Sequence, residues 1–329
     1  MRIKFYLLFI FIILMNTPSL AQSSGYEGGT LETYQHGNIK GDLLFTYGNS
    51  KYSGELSSGD NYSVVFDTAL PEGSKIKIAR LYLYWTWSHN GSVGAYPEMS
   101  AFFKGSPVSA QKQYTDRKGS GAYDYPGGTY AYDVTAFPLD KESYFTVKNI
   151  GMSKFAINGA GLLLVYENAN KQDIEYWVDE GCDIIYAAEG VTSEQATTRA
   201  YFNGDIDIKR IKNANLITVV PGGNKGKNTL YFNSKSWDGI YKGIPYDDLA
   251  IDARDVSGYL LPGNNEIRIQ DNGDYLAPSN AFLILKFAEA STDQGSGMQK
   301  TPGFEAVLSL VSILTMVCIL KCVRKQEND

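Results

Sequence analysis

The feature that most restricts the fold of this chain is an internal repeat at a spacing of 122 residues. Asp133-Val134-Thr135 recurs as Asp255-Val256-Ser257, and Asn158 recurs as Asn280. The register continues without a gap into two apolar runs, Leu162–Val165 and Ile284–Phe287. A repeat of this kind indicates one supersecondary arrangement that the chain uses twice.

The repeated segments have the pattern of β-structure. Between Gly41 and Phe287, short alternating runs are separated by Gly, Pro, Asn and Asp at intervals of about 8–12 residues, which is typical of a sandwich or barrel. The 24 Tyr of the chain fit a pleated surface. We therefore predict an all-β chain of two tandem, jelly-roll-like β-sandwich domains, residues 22–185 and 186–290. The apolar run Gly161–Tyr166 predicts a central strand buried on both faces.

One alternating strand, residues 80–87, raises the question of which aromatic residues face solvent. The face that we assign to the core carries Leu81, Leu83, Trp85 and Trp87. Tyr82 and Tyr84 then point outward, and Tyr123 and Tyr125 lie in a glycine-rich loop. Because tyrosine combines an apolar ring with a polar hydroxyl, these four are candidate ligand-binding residues for glycans or protein partners.

The N-terminus has the pattern of a secretory signal peptide. Arg2 and Lys4 precede the apolar run Phe5–Met15, and small residues stand at −3 and −1 of a cut after Ala21. Residues 1–21 are therefore predicted to direct export. Removing their two positive charges from the total of −6 leaves −8 for the rest of the chain. This acidity argues against nucleic acid as a partner.

The C-terminus has the pattern of a membrane anchor. Residues 304–323 are largely apolar, and the basic tail 324–329 that follows is predicted to be cytoplasmic. A polar linker, residues 291–303, precedes the span and ends in Pro302-Gly303, which Phe304 follows. This order resembles the PGF-type sorting signal of archaeal surface proteins. In those proteins an archaeosortase removes the tail and a lipid replaces it. Both readings of the C-terminus place the body outside the cell.

Two blocks of the body resemble a known family. The first is Leu162–Asn168 followed by Ile174–Gly181, and the second is Gly258–Phe287. Both are similar to the domain-of-unknown-function 3344 family of exported proteins from methanogenic archaea, over about Gly41 to Glu289. The resemblance implies a cell-surface location and no assigned activity. The pattern around Asp255-Val256-Ser257 is also similar to the sugar-binding jelly rolls attached to glycoside hydrolases.

Two kinds of polar motif supply further candidate sites. Asp271 and Asp274 lie in an Asp-Asn-Gly-Asp turn that could hold calcium, although turn-forming side chains explain the same pattern. No cofactor other than this possible calcium is expected. Asn61 and Asn90 begin Asn-x-Ser sequons and are candidate glycosylation sites.

Catalytic motifs are weakly represented. The chain has two histidines, His36 and His89, and neither lies in a metal or nucleophile motif. Asp179 and Glu180 form a local acidic pair of a kind more often found in a solvated loop. Pro221–Lys227 lacks the spacing of a phosphate-binding loop. We therefore expect no enzymatic activity.

These features together predict a non-enzymatic surface protein of an archaeal envelope, anchored to the plasma membrane by its C-terminus. As an envelope or adhesion component it would bind other surface proteins or glycans. The alternatives are a carbohydrate-binding module and, third, a hydrolase of envelope polymers.

Overall fold

A computed structural model describes residues 25–288 of the chain. Within them the backbone forms twenty β-strands and two short 3-10 helices, Ile208–Arg210 and Ser257–Tyr259. The prediction of an all-β chain is confirmed. Among these residues no helix is long and apolar enough to cross a membrane. The predicted signal peptide, sorting motif, membrane span and tail lie outside the described residues.

The first half of the described chain forms eleven strands. They are β1 (Glu32–Thr46), β2 (Glu55–Leu56), β3 (Asn61–Asp67), β4 (Lys75–Asn90), β5 (Val93–Gly94), β6 (Met99–Phe103), β7 (Ser106–Val108), β8 (Lys112–Asp116), β9 (Gly127–Asp133), β10 (Glu142–Asn149) and β11 (Lys154–Glu167). In the first large sheet the order is β1-β11-β4-β9-β8, with β2 paired to β11 and β5 to β4. The first small sheet has the order β3-β10-β6-β7.

The second half forms nine strands with the same order. They are β12 (Asp173–Glu180), β13 (Thr197–Phe202), β14 (Ile211–Pro221), β15 (Asn228–Phe232), β16 (Lys235–Asp238), β17 (Pro245–Tyr246), β18 (Leu249–Asp255), β19 (Asn265–Asp271) and β20 (Asn280–Phe287). The second large sheet is β12-β20-β14-β18-β17, and the second small sheet is β13-β19-β15-β16. Each of these strands therefore has a counterpart in the first half. The division of the chain into two domains after residue 185 stays a prediction.

Three apolar clusters hold the four sheets together. The first small sheet packs on the first large sheet through residues such as Phe103 and Leu162, and the second pair packs through residues such as Phe232 and Leu283. The third cluster lies between the two large sheets and contains Leu163. Neighbouring residues of β11 thus enter different clusters. The prediction that this strand is buried on both faces is confirmed.

Strand β1 pairs with both β11 and β12 and so joins the two large sheets of the described chain into one hydrogen-bonded sheet of twelve strands. Residues 32–40 pair with β12, and residues 41–46 pair with β11. Gly41 stands at the crossing point, where a Cβ atom would lie 1.9 Å from the carbonyl oxygen of Tyr166. Only glycine fits so close an approach of two backbones. The crossing strand links the two sandwiches, and we call the surface between their large sheets the seam.

The seam contains polar contacts as well as apolar ones. The Arg80 guanidinium is fully buried and donates to Glu180 Oε1 at 2.7 Å and Oε2 at 3.2 Å. The Tyr84 hydroxyl donates to Asn280 Oδ1 at 2.6 Å. Since buried polar groups are costly unless they are paired, these bonds fix how the two large sheets lie against each other.

Candidate ligand-binding cleft

The exposure expected for Tyr82 and Tyr84 is wrong. Both side chains are fully buried in the seam, and burial raises the pKa of each phenol well above its ordinary value. The period-two pattern places them opposite Leu81 and Leu83 as predicted, but the second sandwich covers this face of β4. Neither ring is therefore accessible to a ligand from solvent.

The prediction that Trp87 lies in the core is also wrong. Trp85 lies in the core, as expected, but the side chain of Trp87 is 44% exposed. Between Thr86 and His89 two residues of β4 face a single residue of β11, and Trp87 has a φ of 56°. This β-bulge changes the side on which the following residue points. It turns the indole out of the core.

Four aromatic side chains, which with Trp87 we call the aromatic group, gather around this indole. Its ring centroid lies 6.0 Å from that of Tyr275 and 6.0 Å from that of Tyr125. Tyr125 stacks on His89 at 4.7 Å and meets the edge of Tyr123 at 6.0 Å. Tyr123 is 69% exposed. Of the four candidate tyrosines, the structure thus brings two to this aromatic group and buries the other two.

A cleft of about 250 Å³ opens beside these rings, at the end of the seam. The first sandwich contributes Tyr52, Trp87 and Asn158 to its lining, and the second contributes Lys225, Asp248 and Tyr275. Its lining combines aromatic surface with a few polar groups, as is usual for binding sites of small ligands.

Asn158 offers an unused hydrogen-bond acceptor in this lining. Its side chain is 3% exposed, and its Nδ2 donates to the backbone oxygen of Asp248 at 3.1 Å. Its Oδ1 has no hydrogen-bond partner among residues 25–288. A buried acceptor without a donor costs about 1–3 kcal/mol. A ligand that donates a hydrogen bond would remove this cost.

Asp248 offers a second acceptor. Its carboxylate forms no hydrogen bond or ion pair within the described part of the chain. Burial raises the pKa of Asp248, and the charge of Asp247 raises it further. Its backbone oxygen accepts from the amide of Gly222 at 3.0 Å, which joins it to the loop on the other side of the cleft.

The calcium candidates, Asp271 and Asp274, act as acceptors in a turn. Asp271 accepts from the amides of Ala187, Gly273 and Asp274 at 2.7–2.8 Å. Asp274 accepts from the amide of Lys225 at 2.8 Å and from Asn228 Nδ2 at 2.9 Å. No group of three or more residues with metal-ligating side chains occurs within residues 25–288. Calcium binding by this pair stays a prediction.

The two sequons lie in accessible positions. Asn61 begins β3 and Asn90 ends β4, and both side chains are exposed. Asn61 is on the first small sheet, away from the cleft, whereas Asn90 follows His89 in the aromatic group. Glycosylation at either position stays a prediction.

The acidic pair Asp179 and Glu180 lies in a buried strand rather than in a solvated loop. The two side chains are neighbours in β12 and therefore point to opposite faces of the sheet. Glu180 forms an ion pair with Arg80, whereas neither carboxylate oxygen of Asp179 has a hydrogen-bond partner at normal distance and angle within the described residues. The pair cannot act together on one substrate.

The comparison with family models matches residues 25–286 to the family described as "Protein of unknown function (DUF3344)". The chain belongs to this family. A search of curated proteins finds no match. The family assignment confirms the predicted domain family and adds no activity to it, and the archaeal origin and the sorting-type tail stay predictions.

Several solved structures share a distant likeness with the chain. Dimeric latent PorU from Porphyromonas gingivalis is 11% identical, with 82% of this chain and 22% of that chain covered and a TM-score of 0.28. The glycosylasparaginase PNGase F from Flavobacterium meningosepticum is 12% identical over 75% of this chain and 96% of that chain, with a TM-score of 0.24. The major capsid protein P2 from bacteriophage PM2 is 8% identical over 75% and 99%, with a TM-score of 0.22. These likenesses are too distant to bear on function.

Proposed function

We propose that the chain is an exported surface protein without enzymatic activity, and that it binds envelope glycans in the cleft at the end of the seam. The observation that carries the proposal is the exposed indole of Trp87 beside two acceptors that lack partners, Asn158 Oδ1 and the Asp248 carboxylate.

A sugar ring matches these three groups. Its C–H face stacks on an indole, and its hydroxyls donate hydrogen bonds to nearby oxygens. A purely apolar ligand would leave Asn158 Oδ1 without a donor. The cleft is also formed by both sandwiches, so that a bound sugar would contact each of them.

The carboxylates of the cleft favour binding over hydrolysis. Most glycosidases use two carboxyl groups, one as acid and one as base or nucleophile. Here Asp248 is free, but Asp274 is 2% exposed and accepts two hydrogen bonds. Hydrolysis of envelope polymers therefore remains the weakest of the three predicted functions.

The location of the protein is part of the proposal. The signal peptide of residues 1–21, the span of residues 304–323 and the sorting-like Pro302-Gly303-Phe304 support an anchored body on the outer surface of an archaeal cell. There it would act as an envelope or adhesion component. The jelly-roll-like character of the two sandwiches supports the alternative of a carbohydrate-binding module.

A glycan array probed with the full-length chain tests this function. The chain should be purified in a detergent without a sugar headgroup and applied with and without calcium. Binding to a defined set of glycans, with no cleavage products, is the expected result. Absence of binding in both buffers would reject glycan binding and favour a protein partner. Release of shorter saccharides would show an enzyme.

A further inference from the structure

One rim of the cleft is formed by two loops of the second sandwich that hydrogen bonds hold together. The amide of Gly226 donates to the backbone oxygen of Tyr241 at 3.0 Å, and the amide of Gly243 donates to that of Gly223 at 2.8 Å. The first loop joins β14 to β15, and the second joins β16 to β17. The two loops therefore form one unit.

Three lysines stand on this unit, and we call them the lysine rim: Lys225, Lys227 and Lys242. All three are exposed, and Lys225 lines the cleft. Gly226 stands between Lys225 and Lys227 in the sequence. The Cβ of Lys242 lies 3.6 Å from the position that a Cβ on Gly226 would take, so Lys242 packs against the same turn. Residues that are separate in the sequence thus meet at one edge of the cleft.

The lysine rim is not neutralised by the protein itself. None of its ammonium groups forms an ion pair with a carboxylate among residues 25–288. The nearest acids are otherwise engaged or set apart: Asp274 accepts two hydrogen bonds, Asp247 lies beside Gly243, and Asp248 lies inside the cleft. The lysine rim is thus a local group of unpaired positive charges in a chain whose net charge is −6.

We propose that the cleft selects acidic saccharides, whose anionic substituent lies against the lysine rim while their hydroxyls donate to Asn158 and Asp248. The inference rests on the proposed function and adds the ligand's chemical class. Lys225 is the specificity-determining residue because it is the member of the rim that lines the cleft. A lysine acts on an anion as a mobile point charge, so carboxylate and sulfate are both suitable partners.

Affinity measurements on matched tetrasaccharides test the proposal. Three probes share a β-1,4-linked glucose backbone: the neutral form, the glucuronate form and a sulfated form. Each is titrated into the full-length chain at low and high salt. At low salt we expect about 2- to 5-fold tighter binding of an acidic probe than of the neutral one, because an exposed charge pair contributes modestly. At high salt the preference should largely disappear.

Variants separate the role of the rim from that of the cleft. Lys225→Gln should bring the ratio of acidic-probe affinity to neutral-probe affinity, measured on the same preparation, close to one, whereas Lys225→Arg should keep that ratio near its original value. Lys148→Gln, an exposed lysine on the first small sheet, is the matched control and should change nothing.

The outcomes are distinguishable. A preference for the glucuronate alone, for the sulfated form alone or for both supports the proposal and identifies the substituent. Equal, salt-independent binding of all three probes overturns it and leaves glycan binding intact. No binding of any probe, together with a silent array, rejects the proposed function and this inference with it.

Discussion

The two sandwiches share one strand order but use the same position differently. Asn158 in β11 and its counterpart Asn280 in β20 both lie in the seam and are both buried. Asn280 Oδ1 accepts from the Tyr84 hydroxyl, whereas Asn158 Oδ1 has no partner and lines the cleft. The repeat thus places an asparagine at the seam twice. Asn280 bonds across the seam through its oxygen and has no partner for Nδ2 within residues 25–288, whereas Asn158 bonds through Nδ2 and leaves its oxygen without a donor.

A second pair of counterparts shows the same division. Arg80 pairs in register with Asp133, and Asn215 pairs with Asp255 at the equivalent place in the second sandwich. Arg80 reaches across the seam to Glu180, but Asn215 makes no such contact and is half-buried. The first sandwich therefore supplies the buried charge that joins the halves.

Arg80→Ala should give the largest effect because it leaves the buried Glu180 carboxylate without its partner. We expect a loss of about 3–5 kcal/mol in the free energy of unfolding. Asn215→Ala, the counterpart, should cost less than about 1 kcal/mol. Urea unfolding of the two variants measures the difference. A loss below 1 kcal/mol for Arg80→Ala would show that the ion pair does not stabilise the seam.

The raised pKa of Asp179 predicts that the free energy of unfolding depends on pH. Burial raises its pKa to about 7; the nearby Thr33 hydroxyl lowers the value and the charge of Glu180 raises it. The folded chain therefore binds a proton between about pH 4 and 7 that the unfolded chain has released. By linkage this group favours folding most below about pH 4, and the contribution is lost as the pH rises through about 7.

The substitution Asp179→Asn should remove the loss of stability that occurs as the pH rises through about 7. The asparagine amide has nearly the same shape as the carboxylate but no charged form, so that burial no longer costs more as the pH rises. We expect the variant to be more stable than the original chain by about 2–4 kcal/mol at pH 8 and by much less at pH 4. Thermal unfolding at both pH values checks this, and an equal gain at both would contradict the assignment.

Replacing each seam asparagine by alanine in turn should separate the effect on folding stability from the effect on saccharide affinity. Asn280→Ala leaves the buried Tyr84 hydroxyl without an acceptor and should cost about 1–3 kcal/mol while saccharide affinity is unchanged. Asn158→Ala should cost about 1 kcal/mol and weaken saccharide binding by about tenfold. Unfolding curves and affinities on the same preparations give both quantities. Loss of affinity in both variants would show that the two positions do not differ in the way described.

Tyr123→Ala should have the smallest effect. Its exposed ring lies at the far edge of the aromatic group and supports little of the core. We expect a change in stability within about 0.5 kcal/mol and a two- to threefold loss of affinity for an oligosaccharide. If affinity for a monosaccharide falls equally, Tyr123 contacts the first sugar rather than a later one.

The general architecture was accessible from the sequence because it depends on periodic patterns. Alternation and the spacing of 122 residues predict an all-β chain, and Leu162–Val165 predicts a strand between two cores. The matching Asn158 and Asn280 also marked a polar position within apolar strands. In the sequence this repeated asparagine served only to align the two halves, and the predicted pair Tyr123 and Tyr125 came nearer to the cleft.

The cleft itself was not accessible because it depends on tertiary contacts. Alternation along β4 cannot reveal that a second sandwich covers Tyr82 and Tyr84 or that a bulge turns Trp87 outward. Lys225 and Lys242 are far apart in the sequence and meet through hydrogen bonds between loops. No sequence motif singles out Asp248, and only the folded structure shows that its carboxylate has no partner within residues 25–288.

The most direct test of the central claim is a saccharide titration of the Trp87→Ala variant. The ligand is the best binder from the glycan array, and Tyr144→Ala is the control because that tyrosine is 51% exposed on the first small sheet. If the cleft is the binding site, Trp87→Ala weakens binding by at least about tenfold and Tyr144→Ala leaves it unchanged. Full affinity in a folded Trp87→Ala chain would place the glycan elsewhere and contradict the account.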